Sequence, residues 1–180
     1  MAQLFSSVED LIAVLERRKR LLFVSSWVAP SANGQRRLSF RGPLGEKSAA
    51  LQGISLQIAC DAEGFSLPTS VVLLAEINRK PRAIARIDIN GTRHQNKLKI
   101  CGDWQHLDAG HTHFHDTRLH RDIPIDEMFS DKYPDLPVAR PISDMPEDFS
   151  KAMEKCGELL HIENLGEIEE PQWQPRQFPF

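Results

Sequence analysis

The sequence predicts an α+β fold: a single domain in which a mainly antiparallel β-sheet meander is flanked by an N-terminal helix and a C-terminal helix. Between two amphipathic segments, short apolar segments follow one another at hairpin spacing. No helical segment separates them, which favours antiparallel pairing over β-α-β units. With 180 residues the chain is long enough to bury a sizeable core. We assign residues 1–165 to this domain and residues 166–180 to an extended C-terminal arm.

The first helix is predicted over residues 7–19. Ser6 and Glu9 have the spacing of a capping box, which satisfies backbone N–H groups at a helix start. A basic run at positions 17–20 suits the negative end of the helix dipole. The apolar residues that share one face are Val8, Leu11, Ile12 and Leu15.

Strand signals fill the middle of the chain. The predicted strands are Leu21–Val28, Arg37–Arg41, Ile54–Cys60, Val71–Ile77, Ala83–Ile89 and residues 98–100, the last with Leu98 buried. Val71–Ile77 is almost entirely apolar and is predicted to be a central strand. In Ala83–Ile89, alternation places Ile84, Arg86 and Asp88 on the face opposite to Ala83, Ala85, Ile87 and Ile89. Asn33-Gly34 and Asn90-Gly91 predict tight turns.

A second helix is predicted from about Pro146 to His161, because acidic residues occupy its first turn and apolar residues share one face. Those apolar residues are Phe149, Met153, Cys156 and Leu160. The arm that follows is rich in proline, which argues against a helix. We expect its aromatic residues Trp173, Phe178 and Phe180 to pack on the domain. The alternative is that the arm is a docking segment for another chain.

Composition limits the class of protein. Cys60, Cys101 and Cys156 are widely spaced and odd in number, which indicates free thiols in a reducing, cytoplasmic compartment. The apolar run at residues 21–24 is too short to cross a membrane, so no membrane partner is expected. Residues 1–121 carry 17 Lys/Arg against 11 Asp/Glu, whereas residues 122–180 carry 5 against 14. Either the basic part binds an anionic ligand, or both parts are solvated faces of one fold.

The strongest functional signal is a group of histidines. Six of the seven lie between His94 and His120. In the segment His111-Thr112-His113-Phe114-His115, the alternation of an extended strand would place three imidazoles on one face, roughly 7 Å apart, and Phe114 in the core. Histidine exchanges a proton near neutral pH and is a common metal ligand, so such a face indicates a functional site.

Three interpretations of these histidines stay open, and we favour general acid–base catalysis of phosphodiester cleavage. One imidazole would remove a proton from the attacking hydroxyl, and a second would protonate the leaving oxygen. Residues 79–99 carry seven bases and one acid, so this segment could hold a phosphate. Trp104, beside it, could stack on a base. The candidate phosphate ligands are Arg86, Arg93, Lys97 and Lys99.

The second interpretation is a transition-metal site, since imidazole is a preferred ligand of such ions. Its ligands would be His111, His113 and His115. Asp108 or Asp116 could complete the shell. In the third interpretation the histidines form a polar sheet face without a ligand.

An ordered set of motifs accompanies the histidines. Arg86-Ile87-Asp88-Ile89-Asn90-Gly91 is followed by His94 and Asn96, and then by Gly110-His111-Thr112-His113. This order resembles an uncharacterised bacterial domain family common on phage and mobile elements. It is more distantly similar to the TumE-like toxins of type II toxin–antitoxin pairs. The positions that match the family pattern are Arg86, Asp88, His94, Asn96, His111 and His113.

The resulting hypothesis is a toxin-like protein of a toxin–antitoxin or phage-defence module that acts on nucleic acid or a nucleotide, as a ribonuclease-type enzyme would, without a metal. The catalytic residues would be His94, His111, His113 and Asp88. The phosphate-binding residues would be Arg86, Arg93, Asn96, Lys97 and Lys99. Expected partners are RNA or DNA and a cognate antitoxin or another protein. The alternatives are a non-catalytic interaction or inhibitor protein that docks by its acidic C-terminal third, and a His-liganded metal enzyme.

Overall fold

The computed structural model describes residues 4–22, 25–29, 36–97, 99–130 and 136–174. Within these ranges the α-helices are α1 (Val8–Glu16), α2 (Ile125–Met128) and α3 (Phe149–Leu160). The strands are β1 (Arg20–Leu21), β2 (Arg37–Glu46), β3 (Ala49–Asp61), β4 (Thr69–Ile77), β5 (Lys80–Ile89), β6 (His94–Gln95), β7 (Asp108–Gly110), β8 (His113–Asp116) and β9 (Ala139–Pro141). Short 3-10 helices cover Lys99–Trp104, Thr117–His120 and Leu165–Glu167.

Seven strands form one sheet in the order β1-β2-β3-β4-β5-β8-β9, and β6 pairs with β7 in a separate hairpin. Every pair of neighbouring strands is antiparallel. The predicted α+β class with a mainly antiparallel sheet is therefore confirmed. The central position in the sheet belongs to β4, as the apolar segment Val71–Ile77 predicted. Among the described residues, no helix has the length and apolar character needed to cross a bilayer.

The sheet buries one face against the helices. Cross-strand pairing aligns one apolar residue from each of five neighbouring strands, and all five are almost completely buried. This row consists of Phe40, Ile58, Val71, Ile87 and Phe114. It belongs to a single core that includes the apolar faces of α1 and α3. Because side chains alternate along a strand, the residues on either side of this row point to the opposite face of the sheet.

The N-terminal helix is shorter than predicted. Ser7, not Ser6, is the N-cap, and its capping-box partner is Asp10 rather than Glu9. The helix ends at Glu16 because the basic run turns back on it. Lys19 is buried, and its Nζ donates to the carbonyls of Val14, Leu15 and Arg17 at 2.8, 3.0 and 2.6 Å.

Two strand predictions are wrong. In the Leu21–Val28 segment, Leu21 belongs to β1 and Val28 makes an isolated bridge to Ser39. Residues 25–27 are not in a strand, and residues 23 and 24 lie outside the described residues. Residues 99–104 form two short 3-10 helices separated by a kink at Gly102, whose φ is 51°, instead of part of a strand. Residue 98 and the predicted turn at Asn33-Gly34 lie outside the described residues.

A β-bulge changes which residues of β5 face the core. Leu73 pairs with Ala85 while Leu74 pairs with Ala83, so Ile84 is an extra residue on this strand. The prediction that Ile84 faces away from the core is wrong, because the bulge buries it completely. Its carbonyl accepts a 2.6 Å hydrogen bond from the Thr117 hydroxyl. Beyond the bulge, Arg86 and Asp88 alternate with buried Ala85, Ile87 and Ile89 as predicted.

The predicted C-terminal helix is α3, and it begins at Phe149 rather than at about Pro146. Asp148 is its N-cap and no acidic residue lies in its first turn, so the acidic residues precede the helix instead of occupying it. The predicted apolar face, with Met153, Cys156 and Leu160, is buried. Trp173 is half-buried, with its ring centroid 6.1 Å from that of Phe149. The backbone N–H of the next residue, Gln174, donates to the Ala62 carbonyl at 2.6 Å. Packing is thus confirmed for Trp173, whereas Phe178 and Phe180 lie outside the described residues.

Candidate functional site

The site begins with two pairs of polar residues on neighbouring strands. Arg86 on β5 lies directly opposite His115 on β8, and Asp88 lies opposite His113. These pairs flank Ile87 and Phe114 of the core row, so all four polar side chains point away from the core. Both histidines are nonetheless buried, with exposed fractions of 2% for His113 and 1% for His115.

A third imidazole comes from another part of the chain. His94 lies on β6, and its ring centroid is 5.2 Å from that of His113 and 4.9 Å from that of His115. The His113 and His115 centroids are 5.0 Å apart. One ring nitrogen from each of the three residues lies within 4.8 Å of the other two, which is a spacing that could hold a metal ion. We call these three residues the histidine triplet.

Hydrogen bonds to main-chain carbonyls define the tautomers of the two strand histidines. His113 Nδ1 donates to the carbonyl of Gly110 at 3.0 Å, and His115 Nδ1 donates to that of Leu136 at 2.6 Å. Because a carbonyl only accepts, Nδ1 carries the proton and Nε2 keeps a lone pair in each neutral ring. Both Nε2 atoms face Asp88 Oδ2, at 3.2 Å from His113 and 3.7 Å from His115.

His94 is oriented by Asn96. The Nε2 of His94 lies 3.1 Å from Asn96 Oδ1 and 3.3 Å from the Pro137 carbonyl, so it carries the proton and leaves the lone pair on Nδ1. The orientation of the Asn96 amide follows from its other partners. Its Nδ2 donates to two carbonyls, and its Oδ1 also accepts from the backbone N–H of Ala139.

Burial favours the neutral form of two members of the triplet, His94 and His115. Burial and the nearby charge of Arg86 lower the pKa of His115 to about 3. Burial also lowers the pKa of His94, and the neighbouring His113 lowers it further. A neutral ring offers a lone pair at pH 7, which is the form in which imidazole binds a metal.

Arg86 is the cation of the cluster. Its Nη2 lies 2.9 Å from His115 Nε2, and its Nε lies 2.9 Å from Asp88 Oδ2 in an ion pair. Although Arg86 Nε lies this close to Asp88 Oδ2, the contact does not have the geometry of a hydrogen bond. Among the described residues, Arg86 Nε is the one buried side-chain nitrogen or oxygen that makes no hydrogen bond.

Two residues that the sequence assigned to the site, His111 and Asn96, are corrected by these contacts. His111 is exposed and does not join the triplet, because Gly110 has a positive φ of 71° and the strand begins only at His113. Its Nδ1 hydrogen-bonds the Gly91 carbonyl at 2.8 Å. Asn96 is fully buried with its amide fully bonded, so it orients His94 and cannot bind phosphate.

The two carboxylates that the sequence suggested as further metal ligands, Asp108 and Asp116, lie elsewhere. Asp108 pairs with Arg93 and Asp116 pairs with Arg118, so neither faces the triplet. Asp88 takes that position. Nothing local in the sequence indicates this arrangement, because it depends on the register between β5 and β8. His120 is buried and structural: its Nδ1 donates to the Asp116 carbonyl and its Nε2 accepts from the Val138 N–H.

A groove of about 530 Å³ opens beside the triplet. His94 lines it together with Arg93, Gln95, Lys97 and Asp108. Arg93 is held by Asp108, whereas Lys97 is exposed. The side chain of Lys99 lies outside the described residues, and Trp104 is 39% exposed. The groove therefore presents cations next to the one member of the triplet that is not fully buried.

Comparison of the chain with protein-family models, with curated proteins and with solved structures finds no match in any of the three. The likeness to the mobile-element family and to TumE-like toxins therefore stays a prediction.

Proposed function

We propose that this protein binds one transition-metal ion through His94, His113 and His115, with Asp88 as a fourth ligand, and that this centre acts on nucleic acid or a nucleotide. One observation carries the proposal. Three imidazoles converge so that one ring nitrogen of each lies within 4.8 Å of the other two, and Asp88 Oδ2 lies 3.2 Å from His113 Nε2. Imidazole nitrogens beside a carboxylate form a ligand set typical of transition-metal ions.

The donor set fits Zn²⁺ best. Imidazole nitrogens and one carboxylate oxygen are its common ligands, at about 2.0–2.2 Å in tetrahedral geometry. The carbonyls of Gly110 and Leu136 hold Nδ1–H of the two strand histidines, which is how metal-bound histidines are usually oriented. With Asp88 as the fourth ligand the tetrahedral shell would be full, so a bound Zn²⁺ would have to accept a fifth ligand in order to polarise a phosphoryl oxygen of the substrate.

Metal-independent acid–base cleavage, which the sequence favoured, fits these contacts less well. His113 and His115 are buried, and their Nε2 atoms face Asp88 and Arg86, so neither ring presents a nitrogen to a polymer substrate. His111, the third residue of that hypothesis, lies outside the triplet. Exposed Lys97 in the groove, where Asp108 already pairs with Arg93, supports an anionic substrate. The ordered resemblance supports a toxin-like role in a toxin–antitoxin or phage-defence module.

Metal content of tag-free protein tests the first half of the proposal. Protein loaded with Zn²⁺ and freed of excess ion should hold one ion per chain by elemental analysis. His94→Ala, His113→Ala and His115→Ala should each hold less than a tenth of that amount. His111→Ala is the matched control, since this exposed histidine lies two residues from His113, and it should keep the full amount. Wild-type protein without stoichiometric metal would contradict the proposal.

Cleavage and growth assays test the second half of the proposal, which is that the metal centre acts on nucleic acid. Zn²⁺-loaded protein should cleave RNA or DNA, and removal of the ion by a chelator should abolish cleavage. Induced expression of the wild type and of His111→Ala should arrest growth, whereas His113→Ala should not. A protein that holds the ion but neither cleaves nucleic acid nor arrests growth would instead be an interaction protein with a structural metal.

A further inference from the structure

Arg86 occupies the atoms that the proposed metal site would use. Its Nη2 donates to His115 Nε2 at 2.9 Å, and its Nε pairs with Asp88 Oδ2 at the same distance. The single lone pair of His115 Nε2 can accept one N–H or bind one cation, but not both. The guanidinium and a metal ion therefore exclude each other at His115.

Charge makes this exclusion stronger. A guanidinium stays protonated at every pH relevant to a protein, so Arg86 cannot become neutral when a dication arrives. Coulomb repulsion between two cations a few ångströms apart is large where water is scarce, and the histidines beside Arg86 are almost fully buried. An ion on the triplet would therefore displace the guanidinium from both partners.

The contacts of Arg86 also permit this displacement. Release would cost Arg86 its ion pair with Asp88 and its hydrogen bond to His115, but Nε makes no hydrogen bond that would be lost in addition. The side chain is 28% exposed and projects from the outer face of the sheet, beside half-buried Val72 on β4, so a path to solvent exists. A released guanidinium would remain anchored two residues from Asp88, with its planar fork free to bind two oxygens of one phosphate.

We propose that Arg86 is a metal-displaced arginine: binding of the transition-metal ion to the triplet and Asp88 releases Arg86, which then binds the phosphate of an RNA or DNA substrate beside the metal. Metal loading and substrate binding are thereby coupled through one side chain. This inference rests on the proposed function, because it requires that the triplet binds metal.

The experiment measures Zn²⁺ affinity by competition with a chelator, using tag-free wild type, Arg86→Met and Arg82→Met. Arg82 is the matched control, since it lies on the same strand at the far side of the bulge, about 13 Å along the chain from Arg86. Arg86→Met should bind Zn²⁺ at least tenfold more tightly than wild type, and Arg82→Met should differ by less than twofold. Arg86→Gln replaces Arg86→Met if the latter does not fold.

Polarisation of a fluorescein-labelled RNA octamer measures the coupling. Saturating Zn²⁺ should tighten RNA binding in every variant that holds the ion, because the ion adds positive charge. The gain should be at least threefold larger in wild type than in Arg86→Met. Equal Zn²⁺ affinity in wild type and Arg86→Met, or an equal gain in RNA affinity, would overturn the inference while leaving the metal site intact. Absence of Zn²⁺ binding in all variants would overturn the proposed function and this inference together.

Discussion

Replacing Asn96 by alanine should destabilise the protein, because the Asn96 side chain connects His94 to the edge strand of the sheet. The side chain is completely buried and makes four hydrogen bonds. Its Oδ1 accepts from His94 Nε2 at 3.1 Å and from the Ala139 N–H at 2.9 Å. Its Nδ2 donates to the carbonyls of Trp104 and Ala139 at 3.0 and 2.9 Å. One amide thus ties β6 to the loop before β7 and to the edge strand β9.

The magnitude follows from those four bonds. A hydrogen bond between neutral groups contributes roughly 0.5–1.5 kcal/mol net, and a buried group left without a partner costs about 1–3 kcal/mol. Asn96→Ala leaves the N–H and the carbonyl of Ala139 without this partner in a buried place. We expect the free energy of unfolding to fall by about 3–5 kcal/mol. Asn96→Asp should cost a similar amount, because a carboxylate accepts but cannot donate to the two carbonyls.

Chemical denaturation of wild type, Asn96→Ala and Gln95→Ala measures this loss. Gln95, the last residue of β6, is the exposed neighbour of Asn96, so its replacement should change stability by less than about 0.5 kcal/mol. In a hydrogen-exchange experiment, the Ala139 amide should exchange faster in Asn96→Ala than in wild type. Because Asn96 also orients His94, its loss should weaken Zn²⁺ binding roughly 10–100-fold. A loss of stability below 1 kcal/mol with the Ala139 amide still protected would refute this reasoning.

Two further predictions concern stability away from the triplet. Burial, with a smaller effect from Arg118, lowers the pKa of Lys19 from its usual 10.5 to about 8. Between these values the unfolded chain holds a proton that the folded chain has lost, so stability should rise with pH from 8 to 10.5. Denaturation curves of wild type and Lys19→Met should diverge over that range, and parallel curves would contradict the shift. Truncation after Glu170 removes Trp173, so we expect a loss of about 1.5–3 kcal/mol, seen as a lower melting temperature. An unchanged melting temperature would indicate that the tail is a docking arm.

Local patterns in the sequence were sufficient for most of the fold. Alternation at Ile54–Cys60 and Ala83–Ile89 and the apolar run at Val71–Ile77 predicted three strands of the sheet. These predictions succeeded because the period of two along a strand is a local consequence of burying one face. The predictions failed where backbone geometry overrides this period: at Gly102, whose positive φ bends the chain, and at the Ile84 bulge.

The sequence by itself also placed the site among the clustered histidines, since residue type and density need no tertiary information. It could not select the members. His111 and His113 are only two residues apart, yet the turn at Gly110 keeps His111 away from the other histidines. His94 lies far from His113 in the sequence, and the buried amide of Asn96 holds its ring beside those of His113 and His115. Asp88 meets His113 only because β5 and β8 pair in one register across a long connection. A shift of that register by one residue would turn these side chains to the other face, so the tertiary structure alone decides which groups converge.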